Sequence, residues 1–253
     1  ELRRCISEGF EGFELYFQPI YNTNDDSLSG AEALIRWNSK KYGFTGPNTF
    51  IPLLEDSALI IPLGRWIINT AAKACNRWIT SIPDFVMHIN LSFVQIVKSN
   101  IVKDVLENIE RYSAANNHYV FEITETIEMD QIPAVQNVFK EFVKNEFRFA
   151  IDDFGTGYSN YGYMRDRTFD IVKVDRSFVT DIDKLKDNYL MVSFIIKMAH
   201  EMGLHVCIEG VETKEELSCV KKLGADYIQG YYYGKPVCLQ DFEEQHLKRF
   251  VLG

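Results

Sequence analysis

The stretch FELYFQPIYNTNDDSLSGAEALIR, residues 13–36 of the 253-residue chain, contains two β-rich runs around a short polar segment. The runs are Phe13–Ile20 and Leu28–Arg36, and the Asn and Asp residues between them favour a turn. A parallel connection needs roughly a dozen residues or more, usually a helix, and that does not fit between the runs. We therefore predict that these first two strands are antiparallel.

Outward from this pair, the chain alternates further β-rich runs with segments whose apolar residues recur at three- and four-residue steps. The further predicted strands are Phe85–Leu91, Tyr119–Thr124, Phe147–Asp152, Asp170–Asp175, His205–Glu209 and Tyr227–Tyr231. The predicted helices are residues 1–10, Leu63–Trp78, Ile101–Tyr112, Val135–Val143, Asn188–Met202 and Lys214–Leu223. Eight strands with outer helices indicate an α/β fold, a TIM-like (β/α)8 barrel whose first strand is antiparallel.

The size and composition of the chain favour one globular domain over residues 1–253. Hydrophobic residues make up 46% and charged residues 25% of the chain, a balance that permits a large core. No apolar run approaches the roughly 18 residues that would span a bilayer, so we expect no membrane contact by this segment. Because the sequence begins without Met, it suggests a piece of a longer multidomain protein that could be anchored elsewhere.

The cysteines and the net charge exclude several functional classes. Five widely spaced cysteines without a CxxC pair argue against a disulfide framework and a thiolate metal site, and indicate a cytoplasmic protein. A formal net charge of −9 argues against a broad groove for DNA or RNA. An anionic ligand would therefore need cations placed locally.

Polar residues occur at the carboxyl ends of most predicted strands. In a barrel of this kind these ends carry the chemistry, and one polar group per strand at a similar depth predicts a single convergent site. The residues concerned are Asn90, Glu122, Asp152, Asp153, Lys173, Glu209 and Gln229.

Several of these residues have the chemistry of ligands for hard divalent cations. Asp152 and Asp153 could present adjacent carboxylates to Mg²⁺ or Mn²⁺, although Asp-Asp-Phe-Gly could equally be a turn that caps a helix. Glu32 and Glu122 lie within apolar runs, where a buried carboxylate without a partner is costly. Taken singly, Glu32 could face outward and Asn90 could form a turn. Together with Asp152, they supply an oxygen-rich ligand set.

The remaining polar candidates have more than one possible role. Lys173 could point into the barrel, where it would orient an attacking water or neutralise phosphate, or outward into a surface salt bridge. Glu209 could hold a second metal ion, and Gln229 could hydrogen-bond water or substrate. The five histidines show no His-x-x-x-His spacing, and we interpret them as structural.

Around Glu32, the motif GAEALIRW resembles the EAL-domain cyclic di-GMP phosphodiesterases, and the resemblance extends from about Leu2 to Pro236. Further motifs of that family occur in order along the chain. They are YFQPI at 16–20, INLS at 89–92, FEITET at 121–126, IDDFGTGYS at 151–159, VKVD at 172–175, EGVET at 209–213 and QGYYYGKP at 229–236.

The resemblance implies hydrolysis of one phosphodiester bond of cyclic di-GMP to linear pGpG, with two Mg²⁺ or Mn²⁺ ions. The implied ligands are Glu32, Asn90, Glu122 and Asp152 for the first ion, and Asp152, Asp153 and Glu209 for the second. The implied catalytic residues are Glu32, Lys173, Glu209 and Gln229, of which Lys173 and Gln229 would position the water. The implied substrate contacts are Gln18, Leu34, Arg36, Asp153 and Glu212.

The resemblance also implies that Glu125 holds the Asp153–Ser159 loop and that a homodimer forms near this DFGTGYS segment. Ca²⁺ accepts six to eight ligands at longer distances than Mg²⁺ and polarises water less, so we expect it to inhibit. The alternative is a receptor domain that binds cyclic di-GMP without cutting it. Intact candidate ligands favour the enzyme.

Overall fold

A computed structural model describes residues 1–124, 133–155 and 168–248 of the chain. The strands are β1 Phe13–Asn22, β2 Leu28–Ser39, β3 Gly43–Thr45, β4 Val86–Asn90, β5 Tyr119–Thr124, β6 Arg148–Phe154, β7 Ile171–Val174, β8 His205–Glu209, β9 Tyr227–Gln229 and β10 Val237–Cys238. The α-helices are α1 Leu2–Ser7, α2 Pro47–Asp56, α3 Ile60–Trp78, α4 Phe93–Lys98, α5 Ile101–Ile109, α6 Pro133–Lys144, α7 Lys186–Glu201, α8 Lys214–Leu223 and α9 Leu239–Phe242. Short helical turns occupy Asn116–His118, Arg176–Phe178 and Glu243–Leu247.

Eight of these strands close into a barrel in the order β1, β2, β4, β5, β6, β7, β8 and β9. The β1 strand is antiparallel to both of its barrel neighbours, β2 and β9, whereas the other neighbouring pairs are parallel. The predicted barrel with a reversed first strand is therefore confirmed. Because β1 runs the other way, a short hairpin joins it to β2.

The sequence pattern missed the shortest elements. β3 extends the barrel wall as a hairpin on the end of β2, and β10 pairs with β1 at Tyr16 and Phe17. Strands of two or three residues are too short to show an alternating pattern. The α2 helix was also missed, because it begins at Pro47 and contains Pro52, residues that usually mark loops or helix ends.

A continuous apolar layer lies between the barrel wall and the outer helices. Trp78, in the last turn of α3, shows how this layer is built. Its ring packs edge-on against Phe17 and Phe85, with centroids 4.9 and 5.2 Å away, and stacks on Phe242 at 4.6 Å. Such contacts fix the helices around the strands and thereby fix the strand ends.

A second, smaller apolar cluster lies inside the barrel and is formed by Ile20, Val120, Ala150, Ile171 and Cys207. These residues fill the interior beneath the carboxyl ends of the strands, so the barrel is closed below that level. All five cysteines are free thiols. Within the described ranges, no helix combines the length and the apolar character needed to cross a membrane.

Candidate active site

Strand alternation places a polar side chain directly above each of several interior apolar residues. Side chains two positions apart on a strand face the same side of the sheet. Four barrel strands therefore carry an apolar residue in the interior cluster and a charged residue two positions nearer the carboxyl end of the strand. These pairs are Val120 with Glu122, Ala150 with Asp152, Ile171 with Lys173, and Cys207 with Glu209.

Lys173 lies at the centre of this upper level and points into the barrel, so the outward alternative for this residue is wrong. Its side chain is 1% exposed, and its ammonium contacts four carboxylates, which we call with it the Lys173 cluster. The distances from Nζ are 2.7 Å to Glu122 Oε2, 2.7 Å to Glu209 Oε1, 3.3 Å to Glu32 Oε2 and 3.3 Å to Asp152 Oδ1. The outward alternative for Glu32 is wrong as well, because its carboxylate is buried here.

The cluster contains more carboxylates than one ammonium can neutralise, and the pKa values reflect this. Burial opposes the charge on Lys173, but the surrounding carboxylates, led by Asp152, raise its pKa well above the ordinary value. Burial would raise the pKa of Glu32, but Lys173 and hydrogen bonds from Gln229 and Asn90 lower it to about 2. Burial raises the pKa of Glu209 to about 8.

Glu122 differs from Glu32 because at this carboxyl group the effect of burial on the pKa outweighs that of Lys173. Together with the neighbouring charge of Glu32, burial raises the pKa of Glu122 well above its ordinary value despite the contact with Lys173. The buried position therefore disfavours the ionised form of Glu122, and an added cation would stabilise that form.

Three amide side chains orient the cluster from the β1, β4 and β9 strands. Asn90 Nδ2 donates to Glu32 Oε1 at 2.6 Å, and Gln229 Nε2 donates to Glu32 Oε2 at 2.6 Å. Gln229 Nε2 also donates to Gln18 Oε1 at 3.1 Å.

A side chain at Gly230 would come within 2.2 Å of the Val211 carbonyl oxygen, so glycine allows this segment to pack against the one after β8.

The adjacent carboxylates of Asp152 and Asp153 are presented by an irregularity in β6. The register with β7 shifts between Ile151 and Phe154, and Asp153 has a positive φ of 54°. In a regular strand the two side chains would face opposite sides of the sheet. Here carboxylate oxygens of Asp152, Asp153 and Glu209 all lie within 4.8 Å of one another. The two aspartates lie within β6 rather than in a turn, and the helix that the alternative would have them cap falls on residues outside the described ranges.

His88 joins the cluster, although the spacing of the histidines gave no sign of it. This side chain is buried in β4, and its Nδ1 lies 2.7 Å from Glu122 Oε1. Burial and the charge of Lys173 lower the pKa of His88 to about 3, so its imidazole is neutral. Its position two residues before Asn90 placed it on the inward side and could have indicated this role.

The predicted substrate contacts have different environments. Leu34 and Arg36 follow Glu32 on the inward side of β2, and the Arg36 guanidinium lies 5.6 Å from the centre of the Tyr16 ring. Gln18 is buried beside Gln229, at the same depth in the barrel as the Lys173 cluster. Glu212 instead lies exposed just before α8, where its backbone N–H donates to Glu216 Oε2 at 2.9 Å. Glu125 lies outside the described residues.

The residues present fit hard divalent cations. Their donors are carboxylate and amide oxygens, which Mg²⁺ and Mn²⁺ prefer over the nitrogen and sulfur ligands typical of Zn²⁺. Gln229 Oε1 is a buried acceptor without a hydrogen-bond donor in the described part of the chain, and Asp152 Oδ1 is a buried acceptor that contacts the Lys173 ammonium at 3.3 Å without a hydrogen bond. A buried acceptor without a donor is costly, and a bound cation would remove that cost.

Known proteins are similar to this chain over nearly its whole length. The probable cyclic di-GMP phosphodiesterase PdeG of Escherichia coli is 32% identical over 241 residues, which are 95% of this chain and 47% of PdeG. The EAL enzyme Bd1971, solved with cAMP and cyclic di-GMP, superimposes with a TM-score of 0.87 at 34% identity, covering 96% of this chain and 68% of that one. The MucR phosphodiesterase in complex with cyclic di-GMP has a TM-score of 0.87 at 28% identity, covering 95% and 99%.

The curated relatives are longer than this chain, which spans 28% to 47% of five of them. Their similarity to this chain is therefore confined to one part of each. The sequence model that describes the EAL domain matches residues 1–236, from the first helix to the end of the QGYYYGKP motif. With that match and the barrel described above, this chain belongs to the EAL domain family.

Proposed function

We propose that this chain hydrolyses one phosphodiester bond of cyclic di-GMP to give linear pGpG, using two divalent cations, Mg²⁺ or Mn²⁺. The observation that carries the proposal is the charge of the site. Five carboxylates and one ammonium leave a formal charge of −4 when all are ionised, which two divalent cations would neutralise. The groups counted are Glu32, Glu122, Asp152, Asp153, Glu209 and Lys173.

The ligands divide into two overlapping sets. Glu32, Asn90, Glu122 and Asp152 would hold one cation, and Asp152, Asp153 and Glu209 would hold the other. Asp152 belongs to both sets because its carboxylate lies with those of Glu32 and Glu122 around Lys173, and also with those of Asp153 and Glu209. The chemistry that such ions supply is Lewis acidity, which activates water and stabilises negative charge on phosphate oxygens.

The other side chains would bind and orient the reactants. Lys173 keeps its ammonium charge and could donate a hydrogen bond to the attacking water, while Gln229 could orient that water with its amide. Arg36, held over Tyr16 above the cluster, could contact a phosphate group. Gln18 could reach a guanine or its ribose, and Leu34 could pack against the same nucleotide. Glu212 would have to turn inward from its exposed position to contact substrate.

Hydrolysis is tested by incubating the purified protein with cyclic di-GMP and Mg²⁺ or Mn²⁺, followed by chromatographic separation of the nucleotides. One water is consumed per bond: its oxygen joins phosphorus, and the released ribose oxygen takes a proton. Appearance of pGpG, and its loss with excess chelator, would support the proposal. Unchanged cyclic di-GMP with either metal would contradict it.

A receptor that binds cyclic di-GMP without cutting it is the second candidate function. The observation in its favour is that the Lys173 ammonium contacts four carboxylates, so an internal counter-ion can order the side chains of a site that only binds. The same incubation separates the two candidates when binding is measured alongside by calorimetry. Tight binding with no pGpG under any metal would favour the receptor.

We also propose that the chain forms a homodimer beside the DFGTGYS segment, of which residues 156–159 lie outside the described residues. Gly155, at its start, packs on Phe178, and the turn containing Phe178 is tied to α7 by Asn188, whose amide donates to Ser177 O and Thr180 O. The α7 helix exposes Leu190, Met191 and Phe194, which are 53%, 47% and 60% exposed. Apolar side chains clustered on one helix favour a protein partner, and the partner that we propose is a second copy of this chain.

Sedimentation velocity tests the dimer. A charge introduced by Phe194→Glu should shift the protein to monomer, whereas Leu53→Glu, at an equally exposed apolar position on α2, should not. Monomer alone for the wild type at high concentration would contradict the proposal. From the family resemblance, which gives Glu125 the role of holding the Asp153–Ser159 loop, Glu125→Ala should lower activity without removing a metal ligand.

A further inference from the structure

Each carboxylate oxygen of Glu122 contacts a different side chain. Lys173 Nζ lies 2.7 Å from Oε2, and His88 Nδ1 lies 2.7 Å from Oε1. The side chains of Glu122 and His88 are 0% and 5% exposed, so neither contact is shared with solvent. A carboxylate with both oxygens engaged in this way has little freedom to rotate.

The contact between His88 and Glu122 follows from the register of two parallel strands. Residue 88 lies beside Val120, and Asn90 lies beside Glu122, so the imidazole reaches diagonally across to the next strand. His88 itself has no place in either proposed ligand set. Its imidazole can donate an N–H from Nδ1 to Oε1, which leaves Oε2 of Glu122 as the oxygen that faces the centre of the cluster.

We propose that His88 is a positioning residue, which holds Glu122 by the Nδ1–H···Oε1 hydrogen bond so that Oε2 is presented to a divalent cation. This inference rests on the proposed metal-dependent function. Side chains that hydrogen-bond to a metal-ligating group commonly change metal affinity by about 10- to 100-fold when they are replaced. His88 acts on affinity through Glu122 and touches neither substrate nor metal.

A purely structural histidine provides the matched control. His118 Nδ1 lies 2.8 Å from the carbonyl oxygen of Phe85, the residue just before β4. This contact is at the amino-terminal end of β4, away from Asn90 and the Lys173 cluster. Replacing His118 should lower stability without reaching the Lys173 cluster. The comparison therefore separates a general loss of stability from a specific loss of metal binding.

The test is isothermal titration of the full chain with Mn²⁺ in the absence of nucleotide, with the melting temperature of the metal-free protein measured in parallel. His88→Asn places an amide nitrogen near the Nδ1 position and should keep the affinity within about threefold, whereas His88→Leu removes the donor and should weaken binding about 10- to 100-fold. His118→Leu should lower the melting temperature with Mn²⁺ affinity within about threefold of wild type. If His88→Leu does not fold, His88→Gln serves instead, because its amide reaches the Nε2 position and should also weaken binding.

Two results would overturn the proposal. One is equal Mn²⁺ affinity in the wild type and in every folded His88 variant. The other is an Asn variant as weak as the Leu or Gln variant, which would show that the Nδ1 donor is not the feature that matters. If the wild type binds Mn²⁺ but produces no pGpG, the proposed function fails while the affinity ratios still decide the role of His88.

Discussion

The two ends of β8 carry charged groups in opposite settings. At its carboxyl end, Glu209 contacts Lys173 within the buried cluster. At its start, His205 contacts Asp226, which also accepts a hydrogen bond from His200 Nε2 at 2.9 Å. We call these last three residues the Asp226 cluster. The first group is buried and has a large excess of negative charge, whereas the second is partly exposed and has one carboxylate between two imidazoles.

This difference separates function from stability within one barrel. Unbalanced buried charge is costly, so the Lys173 cluster is explained by what it binds rather than by what it contributes to folding. The Asp226 cluster ties α7 to β8 and accepts the backbone N–H of Val206 at 2.7 Å. Such contacts on the amino-terminal side of a barrel usually serve stability. Substitutions at the two ends should therefore have different readouts.

The largest expected effect is that of Asp152→Asn. This change removes the charge of the carboxylate that belongs to both proposed ligand sets, and we expect hydrolysis to fall at least about 1,000-fold with every metal. Steady-state production of pGpG measures it. Asp226→Asn is the matched change at the other end of the barrel and should leave turnover within about threefold. Comparable activity of Asp152→Asn and wild type would remove the two-cation interpretation.

The Lys173→Ala substitution should reduce turnover by about 100- to 1,000-fold while changing cyclic di-GMP affinity little. An ammonium that orients the attacking water acts mainly in the transition state, and its loss leaves ground-state contacts such as that of Arg36 in place. Turnover and binding are measured separately, by product formation and by calorimetry with Ca²⁺ present. An equal loss in both quantities would instead identify Lys173 as a phosphate anchor or a structural counter-ion.

Ca²⁺ should bind the Lys173 cluster without supporting the reaction. We expect at least about a tenfold lower rate with Ca²⁺ than with Mg²⁺, and competitive inhibition by Ca²⁺ when both are present, because the larger ion accepts looser geometry and polarises water less. Initial rates over a matrix of the two metal concentrations test this. Inhibition that excess Mg²⁺ cannot reverse would place Ca²⁺ at another site.

The sequence was sufficient for the barrel, and strand periodicity grouped the side chains that share one side of a strand, but it left open whether Glu32 and Lys173 face inward. In Val120-Phe121-Glu122 and Ile171-Val172-Lys173, the alternation assigns the first and third residues to one side, and an apolar residue below a charged one marks the carboxyl end of a strand lining the interior. The short gap between β1 and β2 likewise required antiparallel pairing. These features depend on local order along the chain.

The features that the sequence did not predict depend on neighbouring strands. The bulge that presents Asp152 and Asp153 together requires a positive φ at Asp153, a conformation that Asp tolerates but does not specify. The spacing within β4 places His88 on the inward side, but its contact with Glu122 also requires the register between β4 and β5. Glu212 belongs to a family motif, yet its exposed place before α8 is set by the cap that Glu216 provides.

The smallest expected effect is a pH-dependent loss of stability in Asp226→Asn. Burial would raise the pKa of Asp226, but contacts with His205 and His200 and the Val206 N–H lower it to about 2, so its contribution is present above about pH 4 and is lost as pH falls toward 2. The Asp226 carboxylate raises the pKa of His205, so that contribution is full below about pH 6.5 and is lost above the raised value. Urea unfolding of both proteins should therefore show a difference of about 1–2 kcal/mol between pH 4 and 6.5, after allowance for solvent screening, and a smaller one on either side. Asp84→Asn, at an exposed turn, should show little difference at any pH, and a pH-independent loss in Asp226→Asn would mean that hydrogen bonding rather than charge holds α7 to β8.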